Sequence, residues 1–277
     1  MNWFYYNHAL LPTTAPHEEA DVAALDNPET WKPKGDGHPL FARWTSNFDC
    51  GYDTGWYYCI LDKPFDISAL KSKYRYKINT GLRNFEVRII DANDYAEQMY
   101  EVFIAAFREY SIAVHIPDRA VFCSNMKNSN MDIICWGAFV KGSNKLAAYA
   151  YVRSNGSCIM LPVLKANPEF EKLQVNAALV YEICEYFKED LANGKYICDG
   201  QRNVYHPTNF QTYLEKYFGF RKAYCRLHLR YAPHIHMYIR ILYPFRKILR
   251  YLPFNFVKKI NAVLNMEEIV RNQKNSM

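Results

Sequence analysis

Between Phe85 and Leu164 the hydrophobic positions switch between a period of two and a period of three to four. Phe85 to Ile90 reads as a strand with alternating burial. Ala92 to Tyr110 then places Tyr95, Met99, Val102, Phe103, Ala106 and Phe107 at the spacing of an amphipathic helix. Pro117 to Met126 reads as a second helix. Asp132 to Val140 and Lys145 to Val152 are strands joined by a Gly142-Ser143-Asn144 turn, and Asn155-Gly156 turns the chain into a third strand, Ser157 to Leu164. Leu173 to Phe187 reads as a helix, with Asn193-Gly194 as its stop. Tyr196-Ile197-Cys198 is a short apolar strand ending at Asp199-Gly200. Phe210, Leu214 and Tyr217 mark one face of a helix that Thr208 caps and Gly219 ends, and Arg221 to Tyr231 alternates as a last strand.

The flanks read differently. Met1 to about Gly37 carries Pro12, Pro16, Pro28 and Pro33 and is expected to be an irregular, loosely packed arm. Phe41 to Phe48 and Trp56 to Leu61 are aromatic-rich strands with a turn over 49–55, an expected hairpin. Asp66 or Ser68 caps a basic helix with Lys71, Lys73, Arg75 and Lys77, which Gly81 closes, with Tyr74 and Ile78 turned inward. From Pro233 onward Ile239, Leu242, Phe245, Ile248, Leu249, Leu252 and Phe256 mix with Arg and Lys, and Pro244 and Pro253 divide the segment into short helical pieces. The expected organisation is an accessory region over 1–84, a core over 85–231 and a basic amphipathic segment over 232–277.

Charge sharpens that division. The 277 residues carry a net charge of +6, but from Arg226 onward ten Lys/Arg stand against two Glu, so the tail holds +8 and the rest sums to −2. No stretch is apolar enough to span a bilayer and no leader is evident, so a cytoplasmic location is expected. The eight cysteines include no C-x-x-C pair, which excludes a zinc ribbon or thioredoxin-type site and implies reduced, packed thiols. His234 and His236 have no nearby carboxylate, so no metal is expected. The tail fits three roles: peripheral contact with anionic lipid through 233–260, packing on the domain with its cations solvated, or an RNA-phosphate contact.

The ordered set of a strand, D-G-x-R at Asp199 to Arg202, T-N-F at Thr208 to Phe210, a helix ending in Gly219-Phe220 and another strand resembles the C-terminal half of a GNAT-fold acyltransferase. The Asp199, Gly200, Arg202 cluster is similar to the Fem-type branch, which includes aminoacyl transferases. The resemblance covers about Phe85 to Tyr231. It implies an α/β (α+β) fold: a mixed, mostly antiparallel sheet flanked by helices, with an N-terminal accessory region and a C-terminal basic helical tail. It also implies that the strand over 157–164 splays from its neighbour and offers backbone at Val163 and Leu164 to a pantetheine arm. Lys172, Gln174, Val175 and Asn176 would then lie at the donor's phosphates and Asn209 beside the arm. Two departures stand out. Gln174 and Asn176 occupy positions the family gives to glycine, and Glu215 stands where many GNAT enzymes carry a tyrosine acid.

The catalytic candidates are Asp199, Arg202, His206 and Glu215. Asp199 would hold a substrate amine or orient His206, and Arg202 would clamp a carboxylate or phosphate, or else pair with Asp199 and lock the loop. The donor implied is acetyl-CoA or another acyl-CoA, with aminoacyl-tRNA as the alternative. The acceptor implied is a small-molecule or lipid-linked amine of a sugar or cell-envelope precursor, with the enzyme on the inner face of the membrane. Two other classes remain open: a catalytically silent GNAT-like binding module at a membrane surface, and a nucleic-acid binder.

Overall fold

The computed structural model describes residues 2–33, 37–108, 116–127, 133–204, 209–252 and 254–275. In chain order the elements are β1 (Trp3–Tyr6), β2 (Ala9–Pro12), β3 (Phe41–Ser46), β4 (Tyr57–Leu61), α1 (Ser72–Asn84), β5 (Phe85–Ile90), α2 (Ala92–Arg108), α3 (Arg119–Lys127) and β6 (Ile133–Val140). There follow β7 (Leu146–Asn155), β8 (Cys158–Ala166), α4 (Val175–Tyr186), α5 (Lys188–Ala192), β9 (Tyr196–Gln201), α6 (Phe210–Phe218), β10 (Arg221–Tyr224) and β11 (Arg226–Tyr231). The tail forms α7 (Ile235–Leu242), α8 (Arg246–Leu249) and α9 (Asn255–Asn275). Short 3-10 turns include Val22–Asp26, Pro28–Trp31 and Pro168–Leu173. The elements form a four-stranded sheet ordered β1-β2-β3-β11 and a seven-stranded sheet ordered β10-β4-β9-β8-β7-β6-β5. The mixed, mostly antiparallel α/β fold expected from sequence is the one observed. The chain divides into two compact units, Met1–Cys59 with Gln201–Asn209 and Lys222–Met277, and Ile60–Gly200 with Phe210–Arg221.

The second unit holds the run of elements from β5 to α6. Strands β5, β6, β7 and β8 are antiparallel in succession, and β8 and β9 are parallel. Gly156, at φ 57, sits in the β7–β8 turn, a left-handed position that glycine takes at little cost. One face of α2 buries Ala92, Ala96, Met99 and Val102 against Ile90, Phe122, Cys135, Phe139, Leu146 and Tyr149. Fully burying a side chain such as Met99 is worth about 1.5–3 kcal/mol. Helix α4 is apolar nearly all round and buries Val175, Ala177, Ala178, Leu179, Val180 and Ile183. Its first turn meets α1 at Gly81, where a Cβ would fall 2.5 Å from the Gln174 carbonyl oxygen and 2.9 Å from the Ala178 nitrogen. Only a glycine lets the two backbones come this close.

Three expectations are corrected here. Residues near the N-terminus are not an irregular arm: β1 and β2 form an antiparallel hairpin around Asn7 and His8, whose φ values of 47 and 64 make a left-handed two-residue turn. Trp3 and Leu10 are buried with Leu25 and Ala42, and the indole nitrogens of Trp3 and Trp31 donate to the Asp21 and Leu25 carbonyls at 2.8 and 2.9 Å. The stretch Arg221 to Tyr231 is not one strand but two, in different sheets. Thr54 Oγ1 donates to the Cys225 carbonyl at 2.6 Å, and the Cys225 N–H donates to the Trp56 carbonyl at 3.0 Å, which bends the chain there. Likewise β3 and β4 do not pair as a hairpin: β3 lies between β2 and β11, and β4 between β10 and β9.

The tail closes the first unit. Gln273 Nε2 donates to the Thr54 carbonyl at 2.8 Å, and its Oε1 accepts from the Leu227 N–H at 3.1 Å. The Tyr231 hydroxyl donates to Glu267 at 2.7 Å, and Arg246 pairs with Glu268 at 2.9 Å. None of the eight cysteines forms a disulfide, and seven are buried.

Candidate active site

The feature that can accept a ligand arm is the parting of β8 from β9. Their register runs Cys158↔Tyr196, Ile159↔Ile197, Met160↔Cys198 and goes no further, although β8 continues to Ala166 and β9 to Gln201. On the opposite side of β8 the register with β7 slips: Arg153 faces Met160, but Tyr151 faces Val163. The extra residue is a bulge at Leu161-Pro162. A bulge increases local twist, and a proline brings no N–H to a ladder. Sequence therefore drives the two strands apart where the expected splay lies.

Asp199 is the first residue of β9 beyond that parting. Burial pushes its carboxyl up to about 7, against a hydrogen bond from Gln211 of α6 that works the other way. Gln211 Nε2 also reaches the Gly200 carbonyl at 3.5 Å. A carboxyl near pH 7 can take a proton from an ammonium and return it. The neighbouring thiol is held in its protonated form. A hydrogen bond with Cys158 and full burial push Cys198 well above the usual thiol range.

The other residues expected at the site take these places. Val163 packs against the core under α2 and α3, opposite Tyr151, and Leu164 lies opposite Ala150. Lys172 is exposed in the last 3-10 turn before α4. Gln174 adopts φ 66, so the backbone does take the left-handed conformation that a glycine would, without the glycine. Its side chain turns back to the Glu171 and Lys172 carbonyls, each at 3.3 Å. Val175 is buried, so only its backbone is available to a ligand. The Oδ1 atom of Asn176 is buried and has no hydrogen-bond partner among the described residues. Glu215 is half-buried on α6.

Arg202 and Asn209 belong to the first unit. The Arg202 N–H donates to the Tyr57 carbonyl at 2.9 Å, and its guanidinium donates to the Gly55 carbonyl. Arg202 also lines an open cleft of about 380 Å³ with Asn203, Val204, Asn265, Glu268 and Ile269. Asn209 is exposed. His206 and the Thr208 cap lie outside the described residues.

Three features take their places only in the folded chain. Gln211 is one; only the docking of α6 brings it to Asp199. Tyr213 is another. It packs beside Phe210, Tyr217 and Phe218, and burial raises its phenol, which stays protonated. The third is a cation cluster. Lys77 and Lys216 lie 5.1 and 5.4 Å from the Tyr217 ring centre, Lys73 lies 5.0 Å from that of Tyr74, and the two rings meet edge to face at 4.9 Å. Burial alone would raise the Tyr217 phenol, but hydrogen bonds and charge from Lys77 and Lys216 outweigh it and hold the phenol below its usual range. Among the described residues none of these three lysines has an ion-pair partner.

The start of α4 has no glycine between Asn167 and Asn176, and the Gln174 side chain turns back to the Glu171 carbonyl. Among the described residues no cluster of His, Cys, Asp and Glu can hold a metal ion.

No protein-family model and no curated protein matches the sequence. Solved structures do match by fold. L-PGS from Bacillus licheniformis aligns at 12% identity over 90% of this chain and 85% of that one, with a TM-score of 0.52. FemX aligns at 9% identity over 67% and 63% of the two chains, TM-score 0.49. A conserved protein of unknown function from Bacteroides thetaiotaomicron aligns at 13% identity over 69% and 62%, TM-score 0.48. The matched stretch thus spans a little under two thirds of the length of the last two proteins. The order of strands and helices from β5 to β10, the splay of β8 from β9 and the likeness to L-PGS show that the chain has a GNAT-type fold.

Proposed function

We propose that the protein is an acyltransferase that moves an acyl group from an activated ester or thioester to an amine. The observation that carries this reading is the opening between β8 and β9 with the Asp199 carboxyl at its edge. In the proposed step Asp199 takes a proton from the acceptor ammonium. The neutral amine forms a C–N bond at the acyl carbon, and the ester C–O or thioester C–S bond breaks. The tetrahedral intermediate passes its second N–H proton to the departing oxygen or sulfur, and the proton on Asp199 is released to water. Transfer is direct, because Cys198 is buried and protonated.

An aminoacyl group on tRNA is the donor the residues favour over a coenzyme A ester. The glycine-free start of α4 supports this, while Lys73, Lys77 and Lys216, without ion-pair partners among the described residues, suit the phosphates of either donor. The proposed acceptor is an amine of a sugar or cell-envelope precursor. The test incubates the full chain with amine acceptors and, separately, a mixture of aminoacyl-tRNAs or of acyl-CoAs, and follows amide product by mass spectrometry. Amide from the tRNA arm that falls about a hundredfold or more in Asp199→Asn supports the reading. Amide from the acyl-CoA arm alone overturns the donor. No amide from either leaves a non-catalytic binding module.

A further inference from the structure

We propose that α7, α8 and the start of α9 form a docking surface for an anionic lipid bilayer. Tyr238, Ile241, Phe245, Ile248 and Leu252 follow one another at spacings of three or four through a nearly continuous ribbon of helical turns, and all five are exposed. Ile248 is 66% exposed, Tyr251 74% and Phe256 65%, values ordinary for lysine and unusual for side chains that gain by leaving water. The opposite side of the ribbon is anchored, since Ile239 and Val257 are buried and Arg246 pairs with Glu268. The apolar stripe is therefore presented by a packed segment, not by a frayed one.

The occupant follows from charge. From Ala232 to Met266 the chain has six Lys/Arg and no Asp or Glu. Apart from Arg246, none of these cations has an ion-pair partner among the described residues. Arg240 and Lys247 precede Ile241 and Ile248 by one residue, so a cation flanks the stripe on each of two successive helical stretches. Apolar side chains that enter the acyl boundary beside lysines and arginines that stay at the headgroups are the pattern of an interfacial segment. A second copy of this face would bring cation against cation. A nucleic acid would engage the cations and leave the Ile and Phe side chains in water. No helix among the described residues is long and apolar enough to cross a membrane, so the contact is peripheral.

The test is co-sedimentation of the full chain with vesicles of phosphatidylcholine, and with vesicles of equal parts phosphatidylcholine and phosphatidylglycerol. Binding is expected to the anionic vesicles, to weaken with added salt, and to be slight with phosphatidylcholine alone. Phe245→Ser with Ile248→Ser should lower the partition coefficient about tenfold or more, and Lys247→Gln with Lys258→Gln about fivefold per charge. These side chains are exposed, and circular dichroism and the melting temperature should not change. Equal partition of wild type and both variants overturns the proposal. So does a concentration-dependent dimer that Phe245→Ser with Ile248→Ser abolishes, which would assign the face to a second copy. RNA binding that survives the loss of Phe245 and Ile248 while vesicle binding is nil would assign the cations to phosphates.

Discussion

Asp199→Asn separates the cost of the site from its use. In the folded chain the Asp199 carboxyl ionises at about 7, against 3.8 for an unburied aspartate. Between those limits the folded state keeps a proton that the unfolded state has released, so stability falls as pH rises through that window and is level above it. A separation of about three pH units, at about 1.4 kcal/mol each, amounts to about 4 kcal/mol. Asparagine is nearly the same shape, can still meet Gln211 and never ionises. The variant is therefore expected to be more stable than wild type, with the gap widening by about 1.4 kcal/mol per pH unit from pH 5 to 7 and constant beyond. Urea denaturation of both proteins at a series of pH values measures this. Parallel curves would mean that the carboxyl is solvated and would remove the general-base argument. Stabilisation together with lost transfer is the signature of a group kept for its chemistry.

Three further outcomes can be checked. Gly81→Ala should lower the urea midpoint by the equivalent of about 1–3 kcal/mol, because its Cβ would meet backbone atoms of α4, which cannot swing aside. Gln174→Gly should raise stability by about 1 kcal/mol by relieving the left-handed strain at φ 66, read from thermal melting. Lys77→Met with Lys216→Met should return the Tyr217 phenol upward, so that the earliest-titrating tyrosine disappears from the ultraviolet pH titration.

The strands from β5 to β8 were legible because their signals are local. Gly142 and Asn155-Gly156 mark turns, and Met99 and Val102 mark one face of a helix. The opening at β8 was legible only through family resemblance; its physical cause, the bulge at Pro162, carries no short-range signature as strong as Asn-Gly. The β1–β2 hairpin was hidden because Asn7 and His8 make a left-handed turn without glycine, among prolines that suggested an arm. The break at Cys225 was hidden because the alternation from Arg221 to Tyr231 is unbroken in sequence and the bend is imposed by Thr54 and Trp56. Of the site, Asp199 could be singled out from its motif. Gln211 and Lys216 could not, since Gln211 meets Asp199 only once α6 docks beside β9, and Lys216 meets Tyr74 of α1, far off in the chain.

Pro162 has a consequence beyond the geometry of the opening. A strand released from its neighbour is a template for aggregation, as ready to accept a segment of another molecule as a substrate. Pro162 brings no N–H to a ladder, and the twist that its bulge adds works against a regular strand settling beside β8. The same residue that loosens the sheet thus guards it against its own kind.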